Sequence, residues 1–223
     1  MVHALARSPS VHQIVACPGN VGMSSINICR RIPFKENAEL VRYCKDKIEL
    51  AVVGSSKFVE DGTVDALVLA GIPVIGPAED AGRIETSKAF AAKFMVRHHI
   101  PSPRTHIVVN ADEIAAAFAA DQEIRVVKCD GFSHGLGVAV AESLEEAQAA
   151  ALKFLKQHGA PLILQERLTG VECSYTILTD GKQWVSFSSC RDYKRAEDGE
   201  TGPTTGGGAV PAASNQPGHS SVR

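Results

Sequence analysis

Apolar residues in this chain come in short runs broken by glycine, proline and polar clusters, and the spacing within each run predicts its element. Ile14–Cys17 reads as a strand that runs into the turn Pro18-Gly19-Asn20. Asn37–Lys47 has a helical period, with Leu40, Val41 and Cys44 on one face. Leu50–Val53 is a short strand stopped by Gly54, and Val64–Leu69 is a helix ending at Gly71, a residue suited to a C-cap. Val74–Ile75 is a strand before Gly76-Pro77. Strand and helix alternating at this spacing imply parallel pairing with right-handed crossovers. Residues 1–77 are therefore expected to form an incomplete, doubly wound N-terminal α/β domain. Such a domain opens with a strand and a glycine-rich turn where phosphate meets a helix N-terminus. This chain opens instead in a helix, Val2–Ala6, so the first strand is expected to be missing and apolar sheet edges to be exposed.

The pattern changes after residue 77. A helix over Ser87–His98 packs through Phe90 and Phe94 and ends before Ile100-Pro101. Asn110-Ala-Asp-Glu113 and Ser143-Leu-Glu-Glu146 match capping boxes, each opening an alanine-rich helix. In the second helix Leu144, Ala147, Ala151 and Leu155 share a face. Between the helices, strands Ile124–Lys128 and Val138–Ala141 flank a loop with three glycines at 131, 135 and 137. Leu162–Gln165, Ser174–Leu178 and Trp184–Phe187 are further strands, the last two joined at Asp180-Gly181 as a hairpin. Lys194–Gly208 is expected to be a long glycine-rich, mixed-charge loop, and residues 213–223 a disordered tail. The fold class is α/β followed by α+β, with the second region over residues 78–212.

Composition narrows the function classes. A net charge of −2 provides no basic field for nucleic acid, and 5% aromatic residues provide few stacking platforms. No two of the six cysteines stand at C-x-x-C spacing, so neither a zinc site nor a redox pair is expected, and a reducing compartment suits them. No apolar run approaches the roughly 20 residues of a membrane span, and Met1–Pro9 lacks the apolar centre of a secretory signal. The expectation is a cytoplasmic protein that binds neither nucleic acid nor membrane.

Candidate chemistry follows from position. The loop Gly131–Gly137 could offer backbone N–H groups to phosphate, or be an ordinary β-turn. Lys128 ends an apolar strand, where its ammonium either meets an anion or snorkels to solvent. Lys88 stands in the first turn of its helix, where a bound anion or plain surface exposure would explain it. Gln165-Glu166-Arg-Leu168, just after a buried strand, could hold an adenine through backbone groups, with Glu172 near ribose hydroxyls. The alternatives are a strand end and a solvated carboxylate. His98-His99 is a helix-end pair, and no metal ligand set is expected.

Taken in order, these features resemble the glycinamide ribonucleotide synthetase family, ATP-grasp ligases of purine biosynthesis, over about residues 2–212. The resemblance rests on His3-Ala-Leu5, Pro18-Gly19-Asn20, Ala70-Gly-Ile-Pro-Val-Ile-Gly-Pro77, Glu85-Thr-Ser-Lys-Ala-Phe-Ala91, Val127-Lys-Cys-Asp-Gly131, Gly170-Val-Glu-Cys-Ser174, Asp192-Tyr-Lys-Arg195 and Thr201-Gly-Pro-Thr-Thr-Gly-Gly207. It implies an ATP-grasp-like domain lacking its C-terminal part over 78–212. It also implies the family reaction, in which ATP phosphorylates glycine and phosphoribosylamine displaces the phosphate to form an amide. By resemblance Lys88, Lys128, Gly135 and Gly137 would meet ATP phosphates, Gln165, Glu166 and Leu168 the adenine, and Glu172 the ribose. Pro18, Gly19 and Asn20 would face the phosphoribosyl group, and Asp192, Lys194, Thr205 and Gly206 the reacting amine and glycine.

There are departures. Val53-Gly54-Ser55-Ser56 lacks the family carboxylate, and Leu136 stands where the family has a phosphate-loop lysine. Loss of that cation is expected to weaken phosphate binding by about 1.5–3 kcal/mol. The family's Mg²⁺-binding Glu and Asn and its closing Arg have no counterpart in the sequence. The readings open at this point are a ligase completed by a partner chain, an inactive ATP-grasp pseudoenzyme acting as a binding or assembly module, and a poorly folding remnant.

Overall fold

The computed structural model describes residues 1–131, 137–199 and 201–211, with side chains up to Gly202. The chain divides into two compact units between Glu85 and Thr86.

In the first unit a short helix α1 (Val2–Leu5) precedes β1 (Ile14–Ala16), a 3-10 turn (Val21–Ser25), β2 (Cys29–Arg31) and α2 (Asn37–Cys44). Then come β3 (Ala51–Val52), α3 (Ser56–Glu60), α4 (Thr63–Leu69), β4 (Val74–Ile75) and α5 (Glu79–Thr86). β1 pairs with β2 and β3 with β4, both parallel, and only the second pair joins two strands that the alternation predicts. The two pairs are separate two-stranded sheets rather than one. Leu40, Val41 and Cys44 of α2 pack with Leu67 and Ile72, the face their spacing predicts. β2 escapes sequence reading because two of its three residues are arginines.

The second unit holds α6 (Lys88–Arg97), β5 (Thr105–Val108), α7 (Ala111–Ala120), β6 (Ile124–Cys129), β7 (Val138–Val140), α8 (Leu144–His158) and β8 (Leu162–Glu166). It continues through β9 (Cys173–Ser174), β10 (Ile177–Thr179), β11 (Trp184–Ser186), β12 (Cys190–Glu197) and β13 (Thr201–Pro211). β5, β8, β6 and β7 form an antiparallel sheet in that order. Its core joins Val127, Leu162 and Leu164 to Ile114 and Phe118 of α7 and to Ala147 and Ala151 of α8, with Leu144 and Leu155 beside them. Ser143 Oγ caps α8 by accepting the Glu146 N–H at 3.1 Å, and Asn110 caps α7 by accepting the Glu113 N–H at 2.9 Å. In both, the glutamate reaches back one residue beyond the cap, to the N–H of Glu142 and of Val109, which ties the preceding strand to the helix.

Two expectations are corrected here. Lys194–Gly208 is no loop, since β12 and β13 pair antiparallel through most of it. Glycines and charges carry no period to read, so the pairing shows only in the register. Ser174–Leu178 is not one strand either: β9 pairs with β12, while β10 pairs with β11 across the Asp180-Gly181 turn. The tail from 213 lies outside the described residues.

Candidate functional site

The second unit joins the end of β6 to the start of α6. Ser87, the N-cap of α6, accepts the Phe90 N–H at 3.0 Å, and its hydroxyl donates to the two Asp130 carboxylate oxygens at 3.0 and 3.3 Å. Asp130 Oδ1 also accepts the Ala89 N–H at 3.0 Å. In return Lys88 Nζ donates to the Gly131 carbonyl at 2.6 Å. Gly131 has φ +75, a backbone conformation open to glycine, so the chain turns sharply here.

Lys128 stands three residues before that turn, on β6. Burial pushes its ammonium below the ordinary lysine value, and the nearby Lys88 charge pushes the same way, while Glu172 partly opposes both. Among the described residues no oxygen accepts a hydrogen bond from it. Two neighbouring cations, one of them desolvated, make a site whose unmet demand is an anion.

Residues distant in sequence approach this pair. Lys194 donates to Asp192 Oδ2 at 2.5 Å, and that hydrogen bond raises the Lys194 ammonium; burial opposes, and the Asp192 and Glu172 charges add. Glu172 carries the second link to this strand, its carbonyl accepting the Asp192 N–H at 3.1 Å. Opposite Lys194 the β12–β13 register breaks. Tyr193 faces Gly208 and Arg195 faces Thr204, so residues 205–207, including Thr205 and Gly206, stand against Lys194 alone. A bulge of this kind re-aims the strand, a device common beside active sites.

At the end of β8, Gln165 is buried and its Nε2 donates to Thr105 Oγ1 at 2.9 Å. The Glu166 carboxylate is held by Arg104, through the backbone N–H at 2.8 Å and the guanidinium at 3.1 Å. The Gln165 side chain is thus occupied inside the protein and that of Glu166 is taken by Arg104, while Leu168 after them is exposed. Gly137 is buried and its carbonyl accepts the Cys129 N–H at 2.8 Å. Gly135 lies outside the described residues.

In the first unit Pro18, Gly19 and Asn20 form the turn at the C-terminal end of β1, the end at which open α/β sheets bind ligands. Gly19 has φ +65, and a Cβ there would lie 3.0 Å from Ala16 Cβ and 3.1 Å from Arg31 Cγ. Asn20 Oδ1 caps the 3-10 turn by accepting the Met23 N–H at 3.2 Å. Separately, a cleft of about 470 Å³ is lined by His3, Arg7, Ser25 and Asn27 among others. Among the described residues no group of three His, Cys, Asp or Glu side chains is placed to hold a metal ion, and no helix is long and apolar enough to cross a membrane.

Sequence reasoning missed Ser87, Asp130 and Arg104. The first two lie inside motifs quoted for their lysines, and the bond between them shows only when residues 43 positions apart meet.

An antiparallel sheet backed by helices, with two lysines and a second small sheet beside its strand ends, is the architecture of the ATP-grasp class. The chain belongs to the phosphoribosylglycinamide synthetase family, whose N-domain model matches residues 1–85 and whose ATP-grasp (A) domain model matches residues 86–221. It is 37% identical to phosphoribosylamine–glycine ligase of Vibrio vulnificus strain YJ016, over 92% of this chain and 51% of that protein. The chain thus spans about half the length of the curated relatives it matches. Among solved structures it is similar to phosphoribosylamine–glycine ligase of Thermotoga maritima, with TM-score 0.75, 27% identity, and coverage of 96% of this chain and 54% of that one. The biotin carboxylase domain of Hydrogenobacter thermophilus 2-oxoglutarate carboxylase, solved with MgADP, ADP and bicarbonate, shares the fold at TM-score 0.66 and 15% identity, over 91% of this chain and 49% of that one.

Proposed function

We propose that this chain is the nucleotide-holding part of a phosphoribosylamine–glycine ligase of purine biosynthesis, forming an amide through glycyl phosphate at the expense of ATP. The observation that carries this reading is the nearness of the Lys88 and Lys128 charges, with Glu172 acting on Lys128 and on Lys194 of the Asp192–Lys194 pair. Lys88 and Lys128 neutralise the polyphosphate, where transfer depends on positioning and charge stabilisation. The main chain after Gln165 and Glu166, with Leu168, takes the adenine. Glu172 takes the ribose. Asp192 and Lys194, with the Thr205–Gly206 bulge, serve the glycine and the amine, and Pro18-Gly19-Asn20 the phosphoribosyl group. No metal ligands are assigned to this chain, and Mg²⁺ enters as part of the Mg·ATP substrate.

The apolar residues of β10, β11 and their flanks support a protein partner. Leu168, Val171, Tyr175, Ile177, Trp184, Val185 and Phe187 are all exposed, although a lone two-stranded hairpin is marginal in water. A polypeptide equivalent to the other half of the relatives would cover them and complete the reaction. All six cysteines are free thiols, in keeping with a reducing, cytoplasmic setting.

Calorimetric titration with Mg·ATP tests the reading. Binding that disappears in Lys128→Ala supports it and justifies a ligase assay with phosphoribosylamine and glycine, with and without the second half of a relative. A chain folded by circular dichroism that takes up no ATP overturns it.

A further inference from the structure

Asp130 is the hub of the junction between α6 and β6, although no role was expected of it. Its carboxylate takes the Ser87 hydroxyl and the Ala89 N–H, while Lys88 between them reaches back to the Gly131 carbonyl. Ser87 accepts from Phe90 at the same time, so its one proton is directed at Asp130. Three consecutive residues of the helix start, Ser87, Lys88 and Ala89, are thereby fastened to two consecutive residues at the strand end.

We propose that Asp130 is a positioning residue for polyphosphate: by clasping the N-terminus of α6 to the end of β6 it fixes the separation and aim of the Lys88 and Lys128 ammonium groups. The inference rests on the reading of this site as the ATP site. Asp130 acts through the two lysines, its carboxylate being turned to the Ser87 hydroxyl and the Ala89 N–H. The Gly131 carbonyl is a neutral acceptor, so Lys88 is held in place and can still exchange that partner for a phosphate oxygen, a stronger one. Without the carboxylate the Ala89 N–H loses its acceptor, Ser87 is free to rotate, and the turn at Gly131 is no longer tied to the helix.

The test compares the intact chain with Asp130→Ala and Asp130→Asn, titrated separately with Mg·ATP and with adenosine, which has no phosphates. Asp130→Ala is expected to weaken Mg·ATP by about ten-fold, the scale of one charge-assisted hydrogen bond, and to leave adenosine unchanged. Asp130→Asn keeps an acceptor for Ala89 and is expected to recover part of the loss. Equal binding of Mg·ATP by the wild type and Asp130→Ala overturns the inference, as does an equal loss for both ligands, which would reflect the fold alone. A second readout needs no nucleotide: NMR titration of the Lys128 amine in the free chain, which senses the position of Lys88. That titration is expected to move in Asp130→Ala, and an unchanged curve overturns the clasp. If the wild type takes up no ATP, the ATP reading falls by itself and the Lys128 titration decides on Asp130.

Discussion

Arg104 holds Glu166 twice, its backbone N–H donating to Oε1 at 2.8 Å and its guanidinium lying 3.1 Å from Oε2. The same guanidinium meets Asp121 Oδ2 at 3.3 Å, and His106 Nε2 lies 3.3 Å from that same oxygen. Burial pushes the Asp121 carboxyl up, but hydrogen bonds from Glu123, Arg104 and His106 outweigh it and hold it below the usual carboxylate range. One network therefore ties the start of β5 to the end of β8, where the adenine is assigned.

Glu166→Ala removes both contacts and is expected to destabilise the chain by about 1 kcal/mol, whereas Arg104→Ala, which removes an exposed guanidinium but keeps the backbone donor, is expected to lose less. Urea denaturation of both variants measures the difference. An equal loss would show that the side-chain ion pair, not the backbone bond, holds the strand end.

Lys128→Met is expected to stabilise the free chain by about 1 kcal/mol near neutral pH while abolishing Mg·ATP binding. The folded-state value of Lys128 lies below its unfolded value, so the cost of the buried charge is full below the folded value. It is relieved as pH rises through the folded value towards the unfolded one. The wild type should therefore gain stability over Lys128→Met on the alkaline side, and thermal unfolding across that pH range checks it.

Phosphate arriving beside Lys128 favours its charged form, so Mg·ATP binding should be accompanied by proton uptake and should weaken as pH rises towards the ordinary lysine range. Calorimetry in buffers of different ionisation enthalpy reads the proton count. Release of protons would contradict the assignment of Lys128.

Gly19→Ala is expected to destabilise the first unit by about 1–3 kcal/mol, because φ +65 disfavours alanine and the new Cβ would crowd Ala16, Arg31 and Met23. Unfolding followed by amide hydrogen exchange would place the loss around β1 and leave the second unit's core unchanged.

Much of this architecture was legible in the chain, and the reasons are local. Asn110 and Ser143 announce their helices because a cap and its partner lie three residues apart. Leu144, Ala147, Ala151 and Leu155 betray their face because a helix repeats within one turn. β12 and β13 were not legible, since Lys194–Gly208 contains no alternation and only cross-strand pairing makes it a sheet. The site divides the same way. Lys88 and Lys128 stand in readable motifs, but the link from Asp130 to Ser87 and the bulge opposite Lys194 depend on which segments the fold brings together.

The β10–β11 hairpin has a practical consequence. Its register sets Thr179 against Trp184 and Leu178 against Val185, so both faces of the ribbon carry apolar groups, and these stand exposed among the described residues. Purified alone, the protein should become turbid as it is concentrated, and proteases should nick it between residues 167 and 188 before they reach the helices. Co-production with a binding half would then be recognisable first as yield, well before any turnover is assayed.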